Sequence, residues 1–428
     1  MQHPLTGRWR PLLDPSQAPQ ARAALEAILQ AVPGPDHPGC GASLVGGHAG
    51  LALLFAYAAL AETGARHLAH RDRARAHVAA AAAQLPSYRA IPGLFAGYAG
   101  VAWTVDHLQG CGILIAGEDL NAGIDEALLA WLALEPGSGW PDLVSGLAGV
   151  GLYALDRPPG PRSRRLVARV LERLQATAES TGQGTAWFGR PEQLAPPMRR
   201  QHPAGAFDLG VAHGMAGVIG FLAEAWHCGF SAARPLLDSS MAWLLSCRSP
   251  RDDGSVFGRT FGRGEPVNPE GCRLSWCYGD LGMATVLLLA AVRTGQSSWR
   301  QAALEVARAA AERPDPWRGV VDAGLCHGAM GNAHLFARLY QATGEARFQT
   351  RALAGYERAL ALCRETVETA GLPAANGSGE ASSPALSPDP GLLTGAAGLG
   401  LGLLAATTSV EPCWDRHLLI HLPPQARP

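Results

Sequence analysis

The stretch Gly47-His-Ala-Gly-Leu-Ala-Leu-Leu-Phe-Ala-Tyr-Ala-Ala-Leu60 places two glycines three residues apart and follows them with a run of almost unbroken apolar character. The same Gly-x-x-Gly spacing, each time leading into an apolar run, occurs seven times along the 428 residues. The pairs are Gly47/Gly50, Gly97/Gly100, Gly146/Gly149, Gly214/Gly217, Gly279/Gly282, Gly328/Gly331 and Gly395/Gly398. Steps of 50, 49, 68, 65, 49 and 67 residues between the first glycines indicate a repeated structural unit.

Two kinds of helix alternate in this pattern. The run after each glycine pair is apolar on nearly all sides and predicts an inner, fully buried helix. Amphipathic runs with Arg and Glu on one side, such as residues 162–177, predict half-exposed outer helices. We expect the outer helices near residues 19–32, 66–84, 119–134, 162–178, 230–247, 297–312 and 346–365.

This alternation predicts an all-α fold over residues 1–428 as a single domain. Paired helices of this kind either stack into an open solenoid or close into a ring, and the lack of polar capping repeats favours closure into an α/α toroid. Glycines at equivalent positions would crowd the backbones at one end, which gives a loop-rich rim where a site can form. Residues 182–207, 249–274 and 371–390 interrupt the pattern and are rich in Gly, Pro and Ser. The first two are expected to be flaps over the site, or else surface insertions with no special role.

Composition narrows the class of function. A formal net charge of −1 gives no basic field of the kind that attracts nucleic acid. The most apolar stretch, residues 392–406, is too short to cross a bilayer, and no signal peptide is expected at the N-terminus. Nine cysteines without a disulfide-scaffold pattern suit reduced thiols, so we expect a cytoplasmic protein.

Chemically reactive residues stand beside the glycines in four consecutive repeats. They are Asp142 in the third repeat, His213 in the fourth, Cys277 in the fifth, and Cys326 with His327 in the sixth. Because equivalent positions share one rim of a toroid, these residues are expected to converge. Two thiols and one imidazole suit zinc, and three protein ligands leave a fourth position open, as in catalytic sites.

Structural alternatives exist for several of these residues. A single cysteine is usually a small buried apolar residue. Cys272 lies near Cys277 in sequence, but we expect it to be a core or surface thiol and not a metal ligand. His213 could be a hydrogen-bonded core histidine, and Asp142 could be a helix N-cap. His48, between the glycines of the first pair, is expected to be structural. The shared register of Cys277, Cys326 and His327 favours metal binding over the core interpretation.

The motifs Ala212-His213-Gly214, Trp276-Cys277-Tyr278-Gly279 and Cys326-His327-Gly328, in this order and within seven glycine repeats, resemble the LanC-type lanthionine synthetases. The resemblance implies a double ring of seven inner and seven outer helices, with zinc on Cys277, Cys326 and His327. It also implies functional roles for Asp142, His213, Arg273 and Tyr278. The implied reaction is Michael addition of a peptide cysteine thiol to dehydroalanine or dehydrobutyrine in the same peptide, which forms a thioether ring. The implied partners are a dehydrated precursor peptide and a separate dehydratase.

Three alternatives remain open at this point. A LanC-like enzyme could add glutathione or another thiol to dehydroamino acids in proteins, and the metal ligands do not distinguish it from a cyclase. A protein prenyltransferase is also a zinc-bearing α/α toroid, but its Asp, Cys and His ligands do not match this set. A peptide-binding scaffold with a structural metal would need four protein ligands, and only three are in register.

Overall fold

A computed structural model describes residues 9–14, 16–87, 91–115, 117, 119–134, 140–194, 196–369 and 389–425. Its described part contains fifteen α-helices and five short strands. The expectation of an all-α fold is therefore confirmed. Among the described helices, none combines the length and the apolar character that a membrane span requires.

Seven helices are buried along most of their length and begin directly after the first glycine of a pair. These inner helices are α2 (His48–Leu60), α4 (Tyr98–Gly110), α6 (Leu147–Asp156), α9 (Met215–His227), α11 (Asp280–Thr294), α13 (Ala329–Thr343) and α15 (Ala396–Thr407). In every case the glycine is the N-cap residue. The glycine pairs thus mark the start of each inner helix.

Seven further helices carry polar side chains on one face and pack around the first set. These outer helices are α1 (Ala18–Ala31), α3 (Gly64–Gln84), α5 (Ala122–Leu132), α7 (Pro161–Thr177), α10 (Ala233–Ser246), α12 (Ser297–Glu312) and α14 (Ala346–Thr369). Their bounds agree with the predicted amphipathic runs to within four residues at each end. Amphipathic periodicity was therefore sufficient to locate them.

The inner helices form a closed ring. Each one contacts the next, from α2 through α4, α6, α9, α11 and α13 to α15, and α15 packs against α2. Each outer helix lies on an inner one, with α3 on α2, α14 on α13, and α1 on α15 across the closure. The prediction of an α/α toroid is confirmed.

A ring of backbone hydrogen bonds ties the loops before the inner helices together. The residues two positions before each first glycine are Val45, Phe95, Val144, Ala212, Cys277, Cys326 and Leu393. The amide of each of the first six donates to the carbonyl of the next, over 2.7–3.3 Å, and Leu392 N donates to Val45 O over 2.8 Å. Residues in register are therefore held at one rim of the toroid.

The second glycine of each pair is required by a close backbone approach. In all seven repeats, a Cβ at this position would overlap the carbonyl oxygen of the residue three positions before the first glycine. At Gly100, for example, the overlapped atom is the carbonyl oxygen of Leu94. The loop can fold back over the first turn of the inner helix only because no side chain is present.

Replacing Gly100 with alanine is expected to destabilise the protein by about 3 kcal/mol or more, because backbone must move to relieve the overlap. Gly110, the last residue of the same helix α4, is the matched control, since a Cβ there meets nothing within 4 Å. Gly110→Ala should be neutral or slightly stabilising. Thermal unfolding measures both, and equal melting temperatures for the two variants would contradict the close-packing explanation.

The first two interrupting stretches share a small sheet. Residues 182–207 include β2 (Gly184–Ala186), β3 (Phe188–Gly189), α8 (Pro196–Gln201) and most of β4 (Ala206–Asp208), while β5 (Thr260–Phe261) lies in residues 249–274. β1 (Glu179–Thr181) pairs with β2, and β3, β4 and β5 form an antiparallel sheet in that order. Of the third stretch, residues 371–388 lie outside the described part of the chain.

Candidate metal centre

Cys277, Cys326 and His327 meet at the rim of the toroid, although 49 residues separate the two cysteines in sequence. Their ligand atoms all lie within 4.8 Å of one another, and no other such group of His, Cys, Asp or Glu occurs among the described residues. Cys326 and His327 lie in the turn before α13, where the backbone is not yet helical. Adjacent residues can face one point there, which an α-helix would prevent.

The three donors suit a soft divalent metal ion. Cys277 and Cys326 are buried, and the side chain of His327 is 27% exposed, so the group is open on its imidazole side. Nε2 of His327 lies 3.5 Å from a carboxylate oxygen of Asp322, a position from which a carboxylate orients a ligating imidazole. Two thiols and one oriented imidazole form a soft ligand set with room for an exchangeable fourth ligand.

The two cysteine thiols are electrostatically coupled. Hydrogen bonds from Cys326, His327 and Ser275 lower the pKa of Cys277, against the opposing effect of burial. The pKa of Cys326 is raised, because its proton is shared with the Cys277 thiolate and because it is buried. The hydrogen bond between the two thiols therefore favours one thiolate within the pair.

The loop that carries Cys277 is fixed on several sides. Trp276 donates its indole N–H to the carbonyl of Leu418 over 2.9 Å, and its backbone amide to the carbonyl of Cys326 over 2.9 Å. Ser275 places its hydroxyl 3.7 Å from Sγ of Cys277. The C-terminal segment thus anchors the ligand loop from within the ring.

His213 and Asp142 form a hydrogen-bonded pair on the same rim. Nδ1 of His213 lies 2.6 Å from a carboxylate oxygen of Asp142, whose other oxygen accepts from the Ser145 amide over 2.7 Å. Asp142 is buried, whereas the His213 side chain is 43% exposed, so the imidazole can meet a ligand. The alternative that Asp142 caps α6 is wrong, because Gly146 holds the N-cap position.

The pKa of His213 is raised above its usual 6.5. Burial acts in the opposite direction, but the hydrogen bond to Asp142 and the negative charges of Asp142, Asp208 and Cys277 together outweigh it. His213 therefore holds its proton at a pH where an isolated imidazole has begun to lose it.

Tyr278 contacts a residue that the sequence analysis missed. Its hydroxyl donates to a carboxylate oxygen of Asp208 over 2.9 Å, and the guanidinium of Arg259 lies 5.1 Å from the centre of its ring. Asp208 is buried, and burial raises its pKa to about 6 although Gly210, His213 and Tyr278 act against this. Its position in the sequence is the signal that could have identified Asp208, since it stands six residues before Gly214, just as Asp322 stands six residues before Gly328.

The remaining predicted residues are placed as follows. Arg273 is exposed and donates to the carbonyl of Gly319 over 3.3 Å, and its positive charge acts on Cys326. Cys272 is buried outside the three-donor group. His48 is buried against His77, with Nδ1 atoms 3.1 Å apart, which agrees with a structural role.

Comparison with known proteins places this architecture in a family. The family described as "Lanthionine synthetase C-like protein" matches residues 40–419. LanC-like protein GCL1 of Arabidopsis thaliana is 34% identical over 104 residues, which span 24% of this chain and 22% of that protein. The solved structure of nisin cyclase is similar to this one with a TM-score of 0.72 at 18% identity, over 93% of this chain and 97% of that chain, so the two share a fold. This chain therefore belongs to the lanthionine synthetase C-like family.

Proposed function

We propose that this protein is a zinc-dependent lanthipeptide cyclase, which forms lanthionine and methyllanthionine rings. It would add a cysteine thiol of a peptide to the β-carbon of dehydroalanine or dehydrobutyrine in the same peptide. The observation that carries the proposal is the meeting of a Cys277/Cys326/His327 group with a His213–Asp142 pair on one rim. Family membership and the fold shared with nisin cyclase support it.

Cys277, Cys326 and His327 would hold the zinc ion. When bound, zinc supplies Lewis acidity that lowers the pKa of an incoming thiol, so that it reacts as a thiolate near neutral pH. With two cysteine ligands already present, the site would be electron-rich, which keeps the added sulfur nucleophilic. His327 would be oriented by Asp322.

His213 would be the general acid. As the thiolate forms the carbon–sulfur bond, the double-bond electrons of the dehydro residue move to its carbonyl and leave an enolate. Cyclisation then requires a proton at the α-carbon. The pair with Asp142 engages Nδ1 of His213 and leaves the proton on Nε2 for the substrate. The raised pKa of His213 keeps this proton available. The proton lost by the thiol equals the proton gained by carbon, so the product is an isomer of the substrate.

Arg273 would stabilise the enolate oxygen. Its side chain is exposed, Nη1 donates to the carbonyl of Gly319 over 3.3 Å, and its charge acts on Cys326. A guanidinium near a developing oxyanion lowers the barrier most when it is already in place. Tyr278 would contact the substrate beside the metal, from the position that follows Cys277.

The proposal includes a cytoplasmic setting, a dehydrated precursor peptide as substrate and a separate dehydratase, because the addition requires dehydroamino acids that are already present. It treats residues 1–428 as one toroid domain with flaps at 182–207 and 249–274. The flap role is supported by Arg259 in the second flap, which lies over the Tyr278 ring, and by the shared sheet β3-β4-β5.

Incubating dehydrated precursor peptides with the protein is expected to remove their alkylatable thiols without a change in peptide mass. A chelator should preserve the thiols, and added zinc should restore their loss. Mass spectrometry with thiol alkylation measures both quantities. Persistent thiols, together with a gain of mass when glutathione is supplied, would instead assign the protein to intermolecular thiol addition.

A further inference from the structure

Three repeats share a turn built on an aspartate six residues before their first glycine. In each, one carboxylate oxygen accepts a hydrogen bond from the amide two residues further on, over 2.8 Å. The donor amides are those of Gly210 for Asp208, Gly324 for Asp322 and Gly391 for Asp389. One carboxylate oxygen of each aspartate is therefore occupied by the turn.

The second carboxylate oxygen distinguishes these repeats. In the sixth and seventh it faces the residue just before the glycine of the same repeat: Asp322 lies 3.5 Å from His327, and Asp389 accepts from Thr394 Oγ1 over 2.7 Å. In the fourth repeat that residue is His213, which pairs with Asp142 instead. Asp208 accepts from the Tyr278 hydroxyl of the next repeat, and so contacts a different loop of the site.

Asp208 is also unusual among the buried aspartates. Of the five that are buried in the described part of the chain, Asp125, Asp280 and Asp415 each pair with an arginine, and Asp142 pairs with His213. Asp208 forms no ion pair within 4.0 Å, and its side-chain partners are the Tyr278 hydroxyl and a backbone amide. A buried carboxylate without a paired cation is costly, and the turn uses only one oxygen of Asp208, so the turn alone does not explain why this carboxylate is buried.

We propose that Asp208 is a positioning residue that fixes the direction of the Tyr278 hydroxyl. Because Tyr278 donates its proton to Asp208, its oxygen faces the substrate as a hydrogen-bond acceptor. The proton that reaches the α-carbon then comes from His213 and not from Tyr278. This inference rests on the proposed function.

Packing around the Tyr278 ring supports a single orientation. A Cβ at Gly210 would lie 2.7 Å from the ring and 2.6 Å from the carbonyl oxygen of Cys277, so the ring lies directly against the backbone of the Asp208 turn. Arg259 covers the ring at 5.1 Å from its centre. The carbonyl of Arg259 accepts from the amide of Leu209, next to Asp208. The Tyr278 ring, the Asp208 turn and the flap that carries Arg259 are thus held together around the Tyr278 hydroxyl.

The test is a double-mutant cycle with Asp208→Asn and Tyr278→Phe. Asparagine keeps an acceptor for the Gly210 amide, but its side-chain NH₂ can donate to Tyr278 and so release the phenol proton into the site. Each single variant is expected to slow cyclisation by on the order of tenfold to a hundredfold, as misplaced groups do. The double variant should be no slower than the slower single variant. Zinc content should remain that of the unmodified protein.

Asp389→Asn is the matched control, because it changes the equivalent turn aspartate in a repeat without the proposed catalytic residues, where the second oxygen contacts Thr394 of the same repeat. It should leave the rate within about twofold. The proposal would be overturned if the rate losses of Asp208→Asn and Tyr278→Phe multiplied in the double variant. It would also be overturned if Asp208→Asn and Asp389→Asn lost the same fraction of the cyclisation rate.

A second measurement does not depend on turnover. In protein labelled at tyrosine Cζ, the NMR signal that Tyr278→Phe removes should shift in Asp208→Asn and stay unchanged in Asp389→Asn. An unshifted signal in Asp208→Asn would refute the role of Asp208 even in an active enzyme. A shifted signal in a protein that cyclises no peptide would refute the proposed function and leave the hydrogen-bond assignment standing.

Discussion

Replacing Cys326 with alanine is expected to remove zinc from the purified protein and to reduce cyclisation below detection. Two remaining donors, Cys277 and His327, hold a metal far less tightly than three, and the loss should exceed the roughly 10- to 100-fold that follows removal of an outer-shell partner. The fold should survive, because the backbone bonds from Cys326 N to Leu393 O and from Trp276 N to Cys326 O do not use the side chain. Metal analysis and the thiol-counting assay measure the two effects.

Cys272→Ala is the matched control for this prediction. Cys272 is also buried and lies five residues before Cys277, yet it is outside the three-donor group. It should keep full zinc content, and chelation of the unmodified protein should reproduce the defect of Cys326→Ala. If Cys326→Ala retained one zinc per chain, or if Cys272→Ala lost it, the assignment of the ligands would be wrong.

The sequence was sufficient to predict the toroid because one local rule repeats. Each first glycine caps an inner helix, and each second glycine admits a carbonyl oxygen where a Cβ would overlap, as at Gly100 and Leu94. Both requirements are local, so they are visible as a spacing. Ring closure could be predicted from the repeat. The hydrogen bonds that join the loops, such as the one from Cys326 N to Leu393 O, could not be predicted, because they involve backbone groups that carry no sequence signal.

The same reasoning explains which site residues were found. Asp142, His213, Cys277, Cys326 and His327 stand within four residues of a first glycine, and the shared register was enough to predict that they converge. Asp208 was missed because its partner, Tyr278, belongs to the next repeat, a contact that only the closed ring creates. The anchoring of Trp276 by Leu418, 142 residues away, is likewise invisible before the fold is known.

Replacing His213 with asparagine is expected to slow cyclisation by about 10²- to 10⁴-fold, the usual effect of losing a general acid, while zinc binding is retained. The imidazole is not part of the three-donor group, so a catalytic role separates it from the metal ligands. Ser145→Ala is the matched control, because Ser145 precedes its glycine just as His213 does, one repeat earlier, and only its backbone amide bonds to Asp142. Its rate should stay within about twofold of the unmodified protein.

Asp142→Asn then tests the direction of the pKa shift. The negative charge of Asp142 raises the pKa of His213, so the acid form persists above the usual 6.5 and activity should fall only as His213 deprotonates at higher pH. Without that charge the pKa falls, and the alkaline limb of the pH–rate profile should move to lower pH. The stabilisation that the His213–Asp142 pair contributes to the folded protein has the same sign. It is fully present below the pKa that His213 has in the unfolded chain, and it is lost as pH rises through the higher pKa of His213 in the folded protein. An alkaline limb that stays in place in Asp142→Asn, or one that persists in His213→Asn, would show that another group supplies the proton.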